Sequence, residues 1–235
     1  MRLCMFHPAG QPLERGWVGR IDGDHVTQLA AQTLQSFFTG GGTAREHAVY
    51  PLASVQLLAP VLHPPAVRVF ASETSFEFAN PAAIRGPGAT VRAESPSDTV
   101  SQGSLVVLPR IAAAVGADGE LAGFTLMAEW RRPGTDPPKD RDFALGLGPV
   151  VVTPDELAAD GLEAVVRVDG DERLRAPFDD FDWATACDFA GAGTRLYPGD
   201  LLSGPPLASV EVAPGSQVEI AVSDIGLLDQ AVSRD

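Results

Sequence analysis

Short β-type runs dominate this chain, and they leave little room for anything but a strand-rich fold. Val67–Phe70, Leu105–Leu108, Ile111–Val115, Phe124–Trp130, Val150–Val152 and Glu163–Val168 each have Gly, Pro or Asp within a few residues on at least one side. Runs of that length, punctuated by turn formers, specify strands. Asp169-Gly170 is a hairpin signal between Val165–Val168 and Glu172–Leu174, since both positions tolerate positive φ. Val218–Val222 and Gly226–Val232 read as closing strands. Helical signals are few. Thr153-Pro154-Asp155-Glu156 has the form of a capping box with proline at the first helical position, so a short helical turn is expected there. Asp179 to Ala192 is acidic at its start, apolar at Phe181, Ala184, Cys187 and Phe189, and followed by glycine, which predicts a helix. The fold class is mixed α/β, β-rich, with mixed sheets and few helices.

The first 60 or so residues form a smaller segment of mixed type. Arg2–Phe6 and Gly16–Ile21 are strand candidates, followed by the turn dipeptides at Asp22-Gly23-Asp24. Val26–Leu29 continues as a short strand. Ala30–Phe38 is helix-like until Gly40-Gly41-Gly42, a glycine run that stops helices. Val55–Leu58 leads to Pro64-Pro65, a natural connector. The expected organisation is therefore a small N-terminal domain over residues 1–62 and a larger domain over residues 65–235.

With 45% hydrophobic and 20% charged residues, the chain has the composition of a globular protein. It carries 17 basic and 31 acidic residues, a net charge of −14, which argues against nucleic acid or an anionic membrane as partner. A small carboxylate substrate would need local positive charge against that background. Cys4 and Cys187 are the only cysteines, so no disulfide framework or zinc-finger spacing exists. They read as two buried free thiols, with a single bridge between them left open. No signal-peptide pattern and no bilayer-length apolar run is present, and a soluble cytoplasmic protein is the expectation. The histidines His7, His25, His47 and His63 lie in the N-terminal part without metal-ligand spacing.

Several motifs occur in a fixed order. Phe76-Glu77-Phe78-Ala79-Asn80-Pro81 is followed by Gly86-Pro87-Gly88, Leu108-Pro109-Arg110, Gly123-Phe124-Thr125 and Glu129. Then come Asp142-Phe143-Ala144, Leu147-Gly148-Pro149, Val152 to Leu157 (VTPDEL), Arg167-Val168-Asp169-Gly170, Gly193-Thr194 and Pro198-Gly199-Asp200. Collinear over roughly residues 65 to 232, this set resembles the fumarylacetoacetate hydrolase (FAH) family, and Met1–Leu58 resembles that family's small N-terminal domain. The resemblance implies a mixed β-sandwich roll, and a homodimer.

It also implies a chemistry. Members hold Mg²⁺ or Mn²⁺ with three carboxylates of an E-P-E…N-D pattern, and the cation stabilises enolate-like charge on a keto/enol acid. Hard cations need oxygen ligands. Carried across position by position, those ligands fall on Leu108, Arg110 and Glu129. Leucine cannot coordinate and arginine repels a cation, so Glu129 is the single surviving ligand position and no cofactor is expected. An alternative register places Gln102 and Ser104 at the paired positions and loses both glutamates as well. The lid is reduced to Phe70–Phe76, where Glu73 matches a lid acid and Ser75 falls where the family has histidine. Arg141 takes the catalytic lysine position, with Lys139 two residues earlier, and Leu202 to Pro206 is a shortened substrate loop.

The candidate site is therefore Glu73, Lys139 and Arg141 as catalytic groups and Arg110, Glu129, Ser203 and Gly204 as substrate-binding groups. Arg110 has two readings: a cationic pocket element for a small carboxylate, or an internal ion pair with Glu129 filling a vacated hole. Arg131-Arg132 reads as a solvated charge run. Two functions follow. One is a divergent hydrolase-, isomerase- or decarboxylase-like protein of small keto-enol acids. The other is a non-catalytic homologue, a pseudoenzyme that binds a ligand or partners an active paralogue. The sequence names no substrate.

Overall fold

A computed structural model of the chain describes residues 1–40, 43–93, 103–157 and 161–233. The N-terminal part contributes β1 (Arg2–Pro8), β2 (Trp17–Asp22), β3 (His25–Ala30), α1 (Leu34–Phe38), β4 (Thr43–Pro51) and β5 (Val55–Leu58). The middle contributes β6 (Val67–Ser72), β7 (Ser75–Ala79), β8 (Ile84–Arg85), β9 (Ala89–Val91), β10 (Leu105–Val115), β11 (Leu121–Arg131) and β12 (Leu145–Val152). Then follow β13 (Glu163–Val168), β14 (Asp171–Pro177), α2 (Trp183–Gly191), β15 (Leu201–Ser203), β16 (Val210–Val212), β17 (Gln217–Val222) and β18 (Gly226–Val232). The expected β-rich, mixed-sheet architecture is what forms.

Among the described residues there are two sheets. The larger has 13 strands and runs β4-β3-β2-β1-β12-β11-β10-β15-β6-β7, with β5, β8 and β16 attached off that path. The smaller has the order β14-β13-β17-β18-β9. Most neighbours are antiparallel, while β6 with β15, β8 with β12 and β9 with β18 are parallel. β1 pairs directly with β12, so residues 1–62 and 65–235 share one hydrogen-bonded sheet. No helix among the described residues is long and apolar enough to cross a membrane.

The longest pairing, β10 with β11, holds the centre. The two apolar runs expected on either side of Pro109 fuse into one strand of 11 residues. Proline breaks a ladder because it has no N–H to give. Here the Pro109 carbonyl accepts from Leu207 N and the Ile111 carbonyl from Gly204 N, so the Pro109 nitrogen points to the gap between β15 and β16. Those two strands pair with Ala112–Ala114 and Leu105–Val107 respectively. The missing donor falls where no ladder partner is required.

Alternation along β10 and β11 separates two cores. Val107, Leu126 and Trp130 face the smaller sheet and pack with Val166, Ile220 and Leu228. Trp130 is fully buried and its indole N–H donates to Gln230 Oε1 at 2.7 Å, the partner that a buried indole needs. Ala112, Ala114 and Met127 face the other way and pack with Leu3, Met5, Leu34 and Leu147. A third cluster seats α2 through Ala186 and Ala190 on Phe70, Val115 and Leu202.

Local expectations are corrected at three places. The helix expected over Ala30–Phe38 shrinks to Leu34–Phe38, because Ala30 completes β3 and Thr33 forms a capping box with Ser36; Gly41 and Gly42 lie outside the described residues. The helix expected over Asp179–Ala192 begins only at Trp183, because the Asp182 carboxylate accepts from the Ala184 and Thr185 amides and sets the N-cap there. At Pro154–Glu156 a single 3₁₀ turn forms, but Thr153 makes no side-chain cap; its hydroxyl accepts a hydrogen bond from the Met1 amine instead. The hairpin at Asp169-Gly170 forms as expected between β13 and β14, with φ of +54° and +88°. Both cysteines are free thiols, Cys4 buried and Cys187 half-buried.

Candidate functional site

The β10–β11 register places Leu108 opposite Glu129 and Arg110 opposite Met127. Side chains at 108, 110, 127 and 129 therefore share one sheet face, and Arg110 reaches Glu129 on the diagonal. Arg110 Nε donates to Glu129 Oε2 at 2.7 Å. Its Nη1 donates to two backbone carbonyls, Phe70 O at 3.1 Å and Gly204 O at 2.7 Å. One guanidinium thus ties β10 to β11, β6 and the end of β15. The other carboxylate oxygen, Glu129 Oε1, accepts from Arg131 Nε at 2.8 Å and lies 2.7 Å from Arg131 Nη2. The Arg110 and Glu129 side chains are 4% and 1% exposed. Burial pushes the Arg110 pKa down; Glu129 opposes that shift, and Arg131 and Arg141 add to it. Both oxygens of Glu129 are already satisfied by strong, charge-assisted bonds.

The cations nearby are likewise matched. Arg141 Nη1 lies 2.5 Å from Glu77 Oε2 and its Nε 3.5 Å from Asp140 Oδ1. Burial lowers the Arg141 pKa, but Asp140, Glu77 and Glu129 together outweigh it and raise it. Lys139 Nζ lies 2.5 Å from Asp142 Oδ2 on an exposed turn. Asn80 fixes that turn by donating to the Asp142 carbonyl at 2.9 Å. Ser203 is fully buried, with its hydroxyl donating to the Gly204 carbonyl at 3.3 Å.

The sequence-derived candidates therefore lie in three settings. Arg110, Glu129 and Ser203 are closed into the interior, and Leu108 stands beside them across from Glu129. Arg141 and Lys139 hold acidic partners nearer the surface. Glu73 and Gly204 line a separate cavity of about 550 Å³. Its walls include Ile111, Phe124, Phe178, Phe181 and Trp183. Ile111 and Phe124 stand on the sheet face opposite Arg110 and Glu129, by the alternation of β10 and β11. Gln102, of the alternative register, lies outside the described residues, and Ser104 precedes β10.

Three features were not anticipated from the sequence. Arg131, expected on a solvated face, is the second guanidinium on Glu129. The segment before α2 is an irregular wall of the cavity instead of a first helical turn. Arg68 and Asp200 form a buried pair at 3.1 Å, with the Arg68 guanidinium 5.7 and 5.3 Å from the Phe76 and Phe78 ring centres. The Pro198-Gly199-Asp200 turn was visible as a motif, but its partner 132 residues earlier in the chain carried no local signal.

Among the described residues, no group of three or more His, Cys, Asp or Glu side chains is placed to hold a metal ion.

With this fold and cluster in view, the family is settled by the fumarylacetoacetate (FAA) hydrolase C-terminal model, which matches residues 71–233. The match spans well over half of the chain, and the chain belongs to that family. Solved structures extend the likeness over the N-terminal part as well. Maleylpyruvate hydrolase from Sphingobium sp. SYK-6 aligns with a TM-score of 0.78 at 20% identity, covering 99% of both chains. The 5-carboxymethyl-2-hydroxymuconate delta-isomerase from Mycobacterium smegmatis aligns at 0.75 and 22%, covering 100% of both. A fumarylacetoacetate hydrolase from psychrophilic Exiguobacterium antarcticum aligns at 0.78 and 18%, again over 100% of both. The Sphingobium enzyme is also known in complex with manganese (II) ion and pyruvate. No curated protein sequence matches the chain significantly. At these identities the structural likeness establishes the fold, one that this chain shares with those hydrolases and that isomerase.

Proposed function

We propose that this protein has exchanged the family's divalent cation for a guanidinium, and that it uses the FAH fold for binding instead of metal-dependent cleavage or isomerisation of keto-enol acids. The observation that carries this is the Arg110–Glu129–Arg131 cluster. A Mg²⁺ or Mn²⁺ site needs several oxygen ligands held around an open position. Here one carboxylate occupies the relevant positions, and both of its oxygens accept from arginines. The residues present do not fit the cation.

The surrounding charges support the same reading. A keto-acid substrate would need a cation to receive its carboxylate. Arg110, Arg131, Arg141 and Lys139 each already face Glu129, Glu77, Asp140 or Asp142. The residues proposed from sequence as catalytic, Glu73, Lys139 and Arg141, do not converge on one point: Glu73 lines the cavity, while the other two are held by acids elsewhere. A general base must reach the proton it removes, and this arrangement offers no shared reacting atom.

Arg110 then acts as a clamp. Its bonds to Glu129, Phe70 and Gly204 close the space that substrate and ion would occupy. The test is turnover of acylpyruvates and oxaloacetate by the full chain with added Mg²⁺ or Mn²⁺. The expected rate is that of buffer and metal alone. Metal-stimulated turnover that disappears with chelator and in Glu129→Gln would overturn the proposal.

A further inference from the structure

The cavity on the other sheet face has a chemistry unlike that of a keto-acid site. At about 550 Å³ it lies within the ordinary size of small-molecule pockets. One wall is an aromatic corner: the Trp183 ring sits 4.8 Å from Phe181 and 5.2 Å from Phe124, both edge to face. Phe178 and Ile111 extend the apolar surface. The polar part is acidic, formed by Glu73, Asp179 and Asp180, with no lysine or arginine among the described lining residues. Asp179 and Asp180 are exposed at its mouth, and Glu73 is fixed beside them by accepting from the Asp182 amide at 3.4 Å.

These features select a ligand. Carboxylates at the mouth repel an organic anion, and the net charge of −14 adds to that field. Aromatic faces attract cations through the ring quadrupole, tryptophan most strongly. We infer that this cavity binds a small organic cation with an apolar body, a quaternary or alkylated ammonium whose hydrocarbon part packs on Phe124, Phe181 and Trp183 while Glu73, Asp179 and Asp180 neutralise its charge. The inference extends the binding function proposed above, yet it uses none of the Arg110 cluster. Metal-dependent turnover would overturn that reading and leave this site untouched, so the two fail separately.

The probe is benzyltrimethylammonium, titrated into the full chain by calorimetry and by tryptophan fluorescence, with benzyl alcohol and phenylacetate as neutral and anionic controls. The expected order is cation tightest and phenylacetate weakest, with one saturable site and a change in emission that is lost in Trp183→Leu. Asp179→Asn/Asp180→Asn changes only exposed side chains, so thermal stability stays near that of the parent. That variant should bind the cation roughly tenfold more weakly at low salt, and the difference should shrink as salt screens the mouth. Equal affinity for cation and phenylacetate would overturn the inference. So would absence of saturable cation binding, or an affinity unchanged in the double variant.

Discussion

Replacing Arg110 by methionine isolates the contribution of the buried clamp. The substitution keeps an unbranched chain of similar reach but leaves Glu129, 1% exposed, with Arg131 as its remaining guanidinium. It also strips a donor from the carbonyls of Phe70 and Gly204. Removing one member of a buried pair costs about 3–5 kcal/mol. The Phe70 carbonyl loses this donor and the Gly204 carbonyl keeps only the Ser203 hydroxyl, which adds ~1 kcal/mol or more, whereas Arg131 still neutralises one oxygen and offsets part of the loss. A net destabilisation of about 4 kcal/mol follows from these terms. Glu129→Leu should cost a similar amount, because it leaves Arg110 buried and unpaired. The double variant removes both charges and should lose less than the sum of the singles by about 2 kcal/mol or more, since apolar replacement of a whole pair is often near neutral. Urea unfolding followed by circular dichroism measures all four proteins on one scale, provided the m-value stays constant. Singles that lose less than about 1 kcal/mol, or a double variant equal to their sum within about 0.5 kcal/mol, would refute the clamp.

Other parts of the molecule make independent predictions. Burial pushes the Cys4 thiol up to about 12 from 9.0, so Ellman's reagent at mild alkaline pH should leave Cys4 unmodified until the chain unfolds. Because the folded pKa is the higher one, the contribution is fully present below pH 9.0 and is lost as pH rises towards about 12; the slope of unfolding free energy over that window should flatten in Cys4→Ala. A Cβ at Gly146 would stand 2.4 Å from Gln230 Oε1, the acceptor of the Trp130 indole. Gly146→Ala should therefore cost ~2–3 kcal/mol in urea unfolding by displacing that buried hydrogen bond. Asp200→Leu leaves Arg68 buried against Phe76 and Phe78 without its carboxylate, and a loss of about 3 kcal/mol in the same assay is expected.

The strand content and the family were legible because they rest on local signals. Asp169-Gly170 announces its own hairpin, and the run Gly226–Val232 has the length and composition of the strand it forms. Pairing across the fold was not. Nothing near Arg131 distinguishes a solvated arginine from the one that reaches Glu129, since the difference lies in which face of β11 is covered. Arg68 and Asp200 meet only because β6 and β15 run side by side. The start of α2 is hidden in the sequence for a related reason. Asp179, Asp180 and Asp182 all suit a helix start, and the one that caps is chosen by where Phe181 and Trp183 can pack. The motif frame singles out Leu108, Arg110 and Glu129 as the expected ligand positions, but the hydrogen bond between Arg110 and Glu129 follows only from the β10–β11 register.

The proposed exchange of cation for guanidinium is tested most directly by titrating Mn²⁺ into the native chain, with calorimetry and electron paramagnetic resonance as readouts. A closed Arg110–Glu129–Arg131 cluster predicts no stoichiometric site tighter than about 1 mM, because one carboxylate committed to two arginines cannot displace the water of a hard cation. A micromolar, one-to-one Mn²⁺ site that disappears in Glu129→Gln would contradict it.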